Sequence, residues 1–248
     1  MIDTLFPYRT HSVQDCLVTP PQLAEKIGPA GEILRFPGNT VVFLLEEPVK
    51  TRLTALQRGL YQTLNRDGRQ MLAQPLHPST FHMTLHDLAN PALGADWEQR
   101  KRAMAAEAEA LLQELWRDEL PGLNLQATCT FQMVSTSIVL GLEPADGASW
   151  ALLDELYGRF QRVRPLSYAL TPHITLAYFI PGRYEGRSAD ALRAALGPVP
   201  DFALRLDTKR LVLQDFESMN CYRTVRTPQL QSGRKEEHLL QDKNSGLL

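Results

Sequence analysis

Two short stretches of the chain carry residue types that could do chemistry together. One contains His82 and Thr84 and the other His173 and Thr175; each reads His, an apolar residue, Thr, Leu, and one lies in each half of the sequence. Alternate side chains of a β-strand share a face, so the His and Thr of each stretch would point the same way, about 6.5 Å apart. Two such strands side by side would surround one small anion with two imidazoles and two hydroxyls. We refer to these four side chains as the motif residues.

Two histidines facing one phosphorus atom suit an in-line displacement. A neutral imidazole can take a proton from the attacking water or hydroxyl, and a protonated one can give a proton to the leaving oxygen, because the unperturbed pKa of histidine is about 6.5. Each positioned acid or base typically contributes about 10²–10⁴-fold in rate. The threonine hydroxyls can donate hydrogen bonds to the non-bridging phosphoryl oxygens. This scheme needs no metal and no cofactor.

Hydrophobic periodicity indicates the elements that would position these residues. Helical spacing or composition predicts helices, and β-branched or alternating runs predict strands, with both motifs on strands. The predicted helices are 49–64, 97–120, 147–162 and 188–196, and the predicted strands are 40–45, 80–88, 123–134, 137–142, 172–179, 202–207, 210–215 and 220–225. The order of elements repeats halfway along the chain.

The two ends of the sequence differ from this middle part. Residues 1–38 are rich in proline and glycine, so we expect an irregular extension wrapped over the first lobe, with a short helix at 21–27. Residues 39–230 would form the domain, and 231–248 would be a polar tail.

Composition limits the classes of function. The chain has 248 residues, of which 44% are hydrophobic. Its net charge is −2, whereas proteins that bind long nucleic acids usually carry a basic surface. A small nucleotide or an RNA end suits this charge better. No apolar run approaches the roughly 20 residues that span a bilayer, and the first residues do not look like a signal peptide, so no membrane partner is expected. Three cysteines fit no disulfide or zinc motif, so we expect the protein in a reducing cytoplasm. We also expect a monomer.

The paired motif resembles the signature of the two-histidine (2H) phosphoesterase superfamily. That group includes bacterial 2′-5′ RNA ligase-like proteins and plant and fungal cyclic nucleotide phosphodiesterases. Further stretches are similar to its opening, middle and closing strands, namely 41–48, 137–144, 211–213 and 222–225. The resemblance covers about 39–230. The first 38 residues are not part of the commonest family pattern and suggest a less characterised branch.

The resemblance implies a fold and roles for the motif residues. The fold would be α+β, with two pseudo-symmetric lobes, each an antiparallel β-sheet with outer helices, and the active cleft between them. His82 and His173 would act as acid and base, and Thr84 and Thr175 would bind phosphate. Pseudo-symmetry leaves the assignment of acid and base open.

Two further residues are candidates for contacting the substrate. Some family members have an aromatic residue five positions after the second His, which is Tyr178 here; strict alternation would turn it to the core unless the strand bends after Thr175. His86 would continue the face of His82, where it could contact the substrate or lie at the strand end near solvent. On a strand His82 and His86 stand about 13 Å apart, so we predict no metal site.

The sequence therefore predicts a metal-independent phosphodiesterase that hydrolyses a cyclic phosphate, in a 2′,3′-cyclic nucleotide or RNA end, or a 2′-5′ phosphodiester. Two alternatives stay open. One is a non-catalytic nucleotide-binding module on the same fold, and the other is a 2′-5′ RNA ligase, which would use the same atoms in reverse.

Overall fold

The computed structural model describes residues 15–227. The first 14 residues, the last three of the predicted domain and the whole predicted tail lie outside this range. The described residues form four α-helices: α1 (Glu47–Leu64), α2 (Trp97–Arg117), α3 (Gly147–Phe160) and α4 (Arg187–Ala195). They also form these strands: β1 (Cys16–Val18), β2 (Gly38–Leu44), β3 (His82–Asp87), β4 (Leu123–Met133), β5 (Ser137–Pro144), β6 (His173–Tyr178), β7 (Arg183–Glu185), β8 (Gly197–Pro198), β9 (Ala203–Leu206), β10 (Leu211–Ser218) and β11 (Cys221–Thr224).

Local sequence explains where the helices begin and end. Pro48 lies in the first turn of α1, where its missing N–H removes no helical hydrogen bond. The carboxylate of Asp146 accepts from the backbone N–H of Ser149 at 2.7 Å and caps α3. Among residues 15–227, no helix is both long and apolar enough to cross a bilayer.

The main sheet has nine antiparallel strands in the order β11-β10-β2-β3-β6-β5-β4-β8, with β9 also pairing with β4. Strand β3 comes from the first half of the chain and β6 from the second, and their pairing at Met83 and Ile174 joins the two halves. In the sheet, each lobe therefore has its motif strand at the boundary between the lobes and its other strands farther out. The predicted α+β fold with two related antiparallel lobes is confirmed, and the sheets of the two lobes are continuous through the motif strands.

One face of this sheet packs against the helices and forms the core. Met83 and Ile174 are fully buried in one hydrophobic cluster together with side chains of α1, α2 and α3. The buried amide of Gln57 on α1 donates to the carbonyl of Leu176 on β6 at 2.9 Å. Because α1 belongs to the first half and β6 to the second, this contact fixes the two halves against each other.

Both motif strands contain a β-bulge at the same place. The pairing of β3 with β2 skips Leu85, and the pairing of β6 with β5 skips Leu176. Each skipped residue directly follows the motif threonine. A bulge adds a residue and changes which face the later side chains occupy, so alternation fails beyond this point in both strands.

The extension differs from the prediction in part. Most of its described residues are irregular, and a 3₁₀-helix, Pro21–Glu25, lies within the predicted 21–27, but it also forms strand β1, which pairs with β7. The backbone N–H of Phe36 then donates to the carbonyl of Glu217 at 2.9 Å. Because β7 follows the second motif strand and Glu217 lies on β10 of the first lobe, the extension contacts both lobes and not the first alone.

Candidate active site

The register of β3 and β6 brings the motif residues together. Met83 lies opposite Ile174, and because the pair is antiparallel, each motif histidine stands beside the motif threonine of the other strand. The two imidazoles are then diagonal neighbours, for which Cα atoms are roughly 7–8 Å apart. Both strands show the same burial pattern, with the motif residues partly exposed and the apolar residues between them buried. The motif residues therefore face an open cleft on the side away from the core.

Each motif histidine is held by the same hydrogen bond. Nδ1 of His82 lies 2.7 Å from the carbonyl oxygen of Thr80, and Nδ1 of His173 lies 2.7 Å from that of Thr171. A carbonyl can only accept, so Nδ1 carries the hydrogen in both rings. In the neutral form Nε2 then has a free lone pair, and in the charged form it has a proton to give. The geometry equips either ring to serve as base or acid.

The surroundings set the proton affinity of these rings. Burial lowers the pKa of His82 to about 4, against the opposing effect of its hydrogen bond to Thr80, and a charge on His173 lowers it further. Burial also lowers the pKa of His173, opposed by its hydrogen bond to Thr171. The carboxylate of Asp87 raises both values. Burial thus disfavours a proton on either imidazole, and the charge of one ring further disfavours a proton on the other.

Aromatic side chains form a wall of the cleft. The ring of Tyr222 on β11 meets that of His82 edge-on, with centroids 4.9 Å apart. The hydroxyl of Tyr178 donates to the sulfur of Met219 at 3.2 Å, and Met219 lies in the turn between β10 and β11. The β6 bulge supplies the bend that Tyr178 needs, because Ala177 takes the buried position and Tyr178 stays partly exposed. Burial raises the pKa of both phenols, so they are neutral at physiological pH.

His86 is not where the sequence analysis placed it. It neither continues the face of His82 nor lies near solvent: it is 1% exposed, and its ring packs 5.3 Å from Tyr157 and 6.2 Å from Phe160 on α3. The bulge at Leu85 is the reason, since it turns His86 toward the core. This placement gives no support to a contact with substrate. Within residues 15–227, no group of three or more His, Cys, Asp or Glu side chains is placed to hold a metal ion.

The structure adds residues to the cleft that the sequence analysis missed. Asp87 is exposed at the end of β3, and the hydroxyl of Tyr168 donates to its carboxylate at 2.8 Å. The ammonium of Lys26 lies 4.7 Å from the ring centroid of Phe36, and burial lowers its pKa. Asp87 follows His82 by the same five positions that separate Tyr178 from His173, so the internal repetition could have identified it. Lys26 and Phe36 come from the extension, which has no counterpart in the repetition.

Comparison with solved structures supports this description of the fold. A conserved protein of unknown function from Agrobacterium tumefaciens, ATU0111, is 17% identical with a TM-score of 0.54, over 84% of this chain and 93% of that one. The protein TT0787 of Thermus thermophilus is 17% identical with a TM-score of 0.52, over 78% and 96% of the two chains. A phosphoesterase is 13% identical with a TM-score of 0.50, over 76% and 94%.

At such identities the likeness is one of fold. The fold expected from the paired motifs is thereby confirmed. No family model matches the sequence, and no curated protein matches it either.

Proposed function

We propose that this chain is a metal-independent 2H phosphodiesterase that hydrolyses a cyclic phosphate, in a 2′,3′-cyclic nucleotide or an RNA end, or a 2′-5′ phosphodiester. The single observation that carries this proposal is the matched orientation of the two imidazoles. Each ring is fixed through Nδ1 to the carbonyl two residues earlier, and the two stand as diagonal neighbours on one open face. Packing alone would not require two histidines with the same hydrogen bond at equivalent places on neighbouring strands.

The reaction follows from the protonation of the pair. The neutral imidazole takes a proton from water through Nε2 as the water oxygen attacks phosphorus. The protonated imidazole gives its Nε2 proton to the oxygen that leaves, so the P–O bond breaks and a phosphomonoester forms. The pair ends with its proton on the other ring, and exchange with solvent restores the starting state.

The threonine hydroxyls would hold the phosphoryl group during this exchange. Thr84 and Thr175 face the cleft, and neither hydroxyl has a hydrogen-bond partner within residues 15–227. Hydroxyls without a partner can donate to the non-bridging oxygens as their charge changes. Tyr178 and Tyr222 would pack against the nucleoside, because aromatic faces stack on bases without demanding one sequence.

The test is hydrolysis of the four nucleoside 2′,3′-cyclic monophosphates between pH 3 and 9 with a chelator present. We expect turnover with a bell-shaped pH profile, and a loss of at least about 10²-fold in His82→Ala and in His173→Ala. Arg102→Ala is the control, since Arg102 is exposed on α2 and lies outside both motif strands. Near wild-type activity in either motif variant would refute the mechanism.

Failure on these substrates would lead to 2′-5′ linked oligonucleotides and ADP-ribose cyclic phosphate. Tight mononucleotide binding without turnover on any of them would favour the non-catalytic module. Joining of a 5′-hydroxyl end to a cyclic phosphate would identify a ligase. We also propose that the protein acts as a monomer in the cytoplasm.

A further inference from the structure

The cleft is chemically asymmetric although its two motif strands are related. Asp87 and Tyr178 occupy equivalent positions, each five residues after a motif histidine and each beyond a bulge. On β6 this position carries a phenol, and on β3 it carries a carboxylate. The buried neighbours Ala177 and His86 show that both bulges turn the preceding residue toward the core, which leaves Asp87 and Tyr178 on the side of the motif residues.

The carboxylate of Asp87 is held in place by a neutral donor, although the ammonium of Lys26 lies near enough to feel its charge. The hydroxyl of Tyr168, from the loop between α3 and β6, donates to Oδ2 at 2.8 Å. Within residues 15–227 Asp87 makes no ion pair, although Arg164 lies nearby and donates to the carbonyl of Leu88. A neutral donor fixes the direction of the carboxylate and leaves its negative charge available to other groups.

That charge acts on both motif histidines. It raises the pKa of His82 and of His173, while burial acts in the opposite direction. Other titratable or charged groups face this set: around the imidazoles they are Tyr178 and Tyr222, and around the carboxylate they are Lys26, His86, Tyr157, Arg164 and Tyr168. The phenols are neutral, so Asp87 is the carboxylate that acts on both rings.

We propose that Asp87 is a positioning residue that serves as counter-ion to the motif imidazolium and sets the pH range in which the pair holds one proton. This inference rests on the proposed function for its catalytic meaning. The competent state needs one charged and one neutral ring. A nearby negative charge stabilises the charged ring, so the competent state persists to higher pH than two desolvated imidazoles alone would allow.

The first test is the pH profile of kcat/KM in Asp87→Asn. Asparagine keeps the size of the side chain and removes the charge, so both limbs of the profile should move to lower pH. The expected shift is about half a unit, the effect of a unit charge roughly 16 Å away at an effective dielectric constant of about 30, between the values for bulk water and for a protein surface. Activity on the alkaline limb should then fall about threefold and activity on the acid limb should rise. Loss of structure would lower activity at every pH and would not produce this crossing.

Two variants control for other effects. Asp87→Glu keeps the charge and should keep the limbs near their original positions. Glu107→Gln removes one negative charge from the exposed face of α2 and should leave the profile unchanged. A profile of Asp87→Asn that coincides with that of the wild type, or one that falls equally at all pH values, would overturn the proposal.

A second measurement does not depend on turnover. Titration of the imidazole signals of His82 and His173 by NMR should give lower apparent pKa values in Asp87→Asn than in the wild type. Unchanged titration curves would overturn the role of Asp87 even in an active enzyme. Shifted curves in a protein without turnover would support the electrostatic role and count against the proposed hydrolysis, so the two failures are distinguishable.

Discussion

At the scale of single residues, one hydrogen bond to each motif histidine decides what that ring can do. The carbonyls of Thr80 and Thr171 fix the same tautomer in both rings. The motif threonines have no such restraint, and their hydroxyls have no partner in the described part of the chain. The side chains that would touch the phosphoryl group are therefore oriented by the backbone or free to donate.

Replacement of a motif threonine by valine tests whether its hydroxyl contributes to the reaction. Thr84→Val and Thr175→Val keep the branched shape that suits a strand and remove the hydroxyl. We expect kcat/KM to fall about 10–10³-fold in each, because a donor to a charged transition state is lost, with little change in the melting temperature. Steady-state kinetics on the best cyclic substrate would measure this. Thr63→Val, on the exposed side of α1, is the control; equal effects at Thr63 and the motif positions would contradict a specific role.

At the scale of elements, the side chain of Asn220 attaches the turn between β10 and β11 to the loop beside the cleft. Asn220 accepts from the backbone N–H of His77 at 2.8 Å and donates to the carbonyl of Pro75 at 3.0 Å. These contacts connect the turn to the loop that leads into β3. Tyr222, two residues later, lies against His82. The position of the aromatic wall thus depends on a polar contact far from any motif in sequence.

Asn220→Ala should loosen this wall without touching the reacting atoms. We expect KM for a cyclic nucleotide to rise several-fold while kcat changes little, because the phenol of Tyr222 is held less firmly against the nucleoside. The free energy of unfolding should fall by about 1–2 kcal/mol with the two lost hydrogen bonds. Cys221→Ser is a suitable comparison, since Cys221 is an exposed neighbour in the same hairpin. A fall in kcat with unchanged KM would argue against this account.

The elements also show how far the sequence could predict the fold. Periodicity predicted α1 to α4 and most strands within a few residues, because each has a strong local pattern. It missed β1, β7 and β8, which have only two or three residues each and are defined by pairing with other strands and not by composition. It also misplaced His86, because a bulge depends on register with the neighbouring strand and leaves no local signal. The motif residues were found because the same pattern occurs twice.

At the scale of the whole molecule, the structure buries histidines in their neutral form. The pKa of His86 is lowered to about 4 by burial against α3, although Asp87 opposes this. Neither of its ring nitrogens makes a hydrogen bond of normal geometry in the described structure. The backbone of Asp87 and the side chain of Gln161 lie near the ring and raise its pKa, but less than burial lowers it. The pKa of His82 is lowered to about 4 as well. Unfolding releases both rings to water, where they bind protons near pH 6.5.

The sign of the pH dependence follows from this difference. A histidine whose pKa is lower in the folded state contributes its full stability above pH 6.5 and loses it as the pH falls toward 4. We therefore expect the free energy of unfolding to fall steeply in that interval. For His86 alone, the free energy of unfolding falls by about 2 kcal/mol between pH 7.5 and pH 5, because at pH 5 its imidazole is protonated in the unfolded chain and neutral in the folded one.

His86→Phe should remove this part of the pH dependence while sparing the cleft. Phenylalanine fits between Tyr157 and Phe160 by shape and leaves no buried nitrogen without a partner, so the free energy of unfolding at pH 7.5 should stay within about 1 kcal/mol of wild type. At pH 5 the variant should be the more stable protein by about 2 kcal/mol. Urea unfolding at the two pH values measures both, and kcat/KM at pH 7.5 should be unchanged because His86 faces the core. An identical loss of stability in both proteins would mean that His86 is not the group that titrates, whereas a loss of activity would place it in the cleft after all.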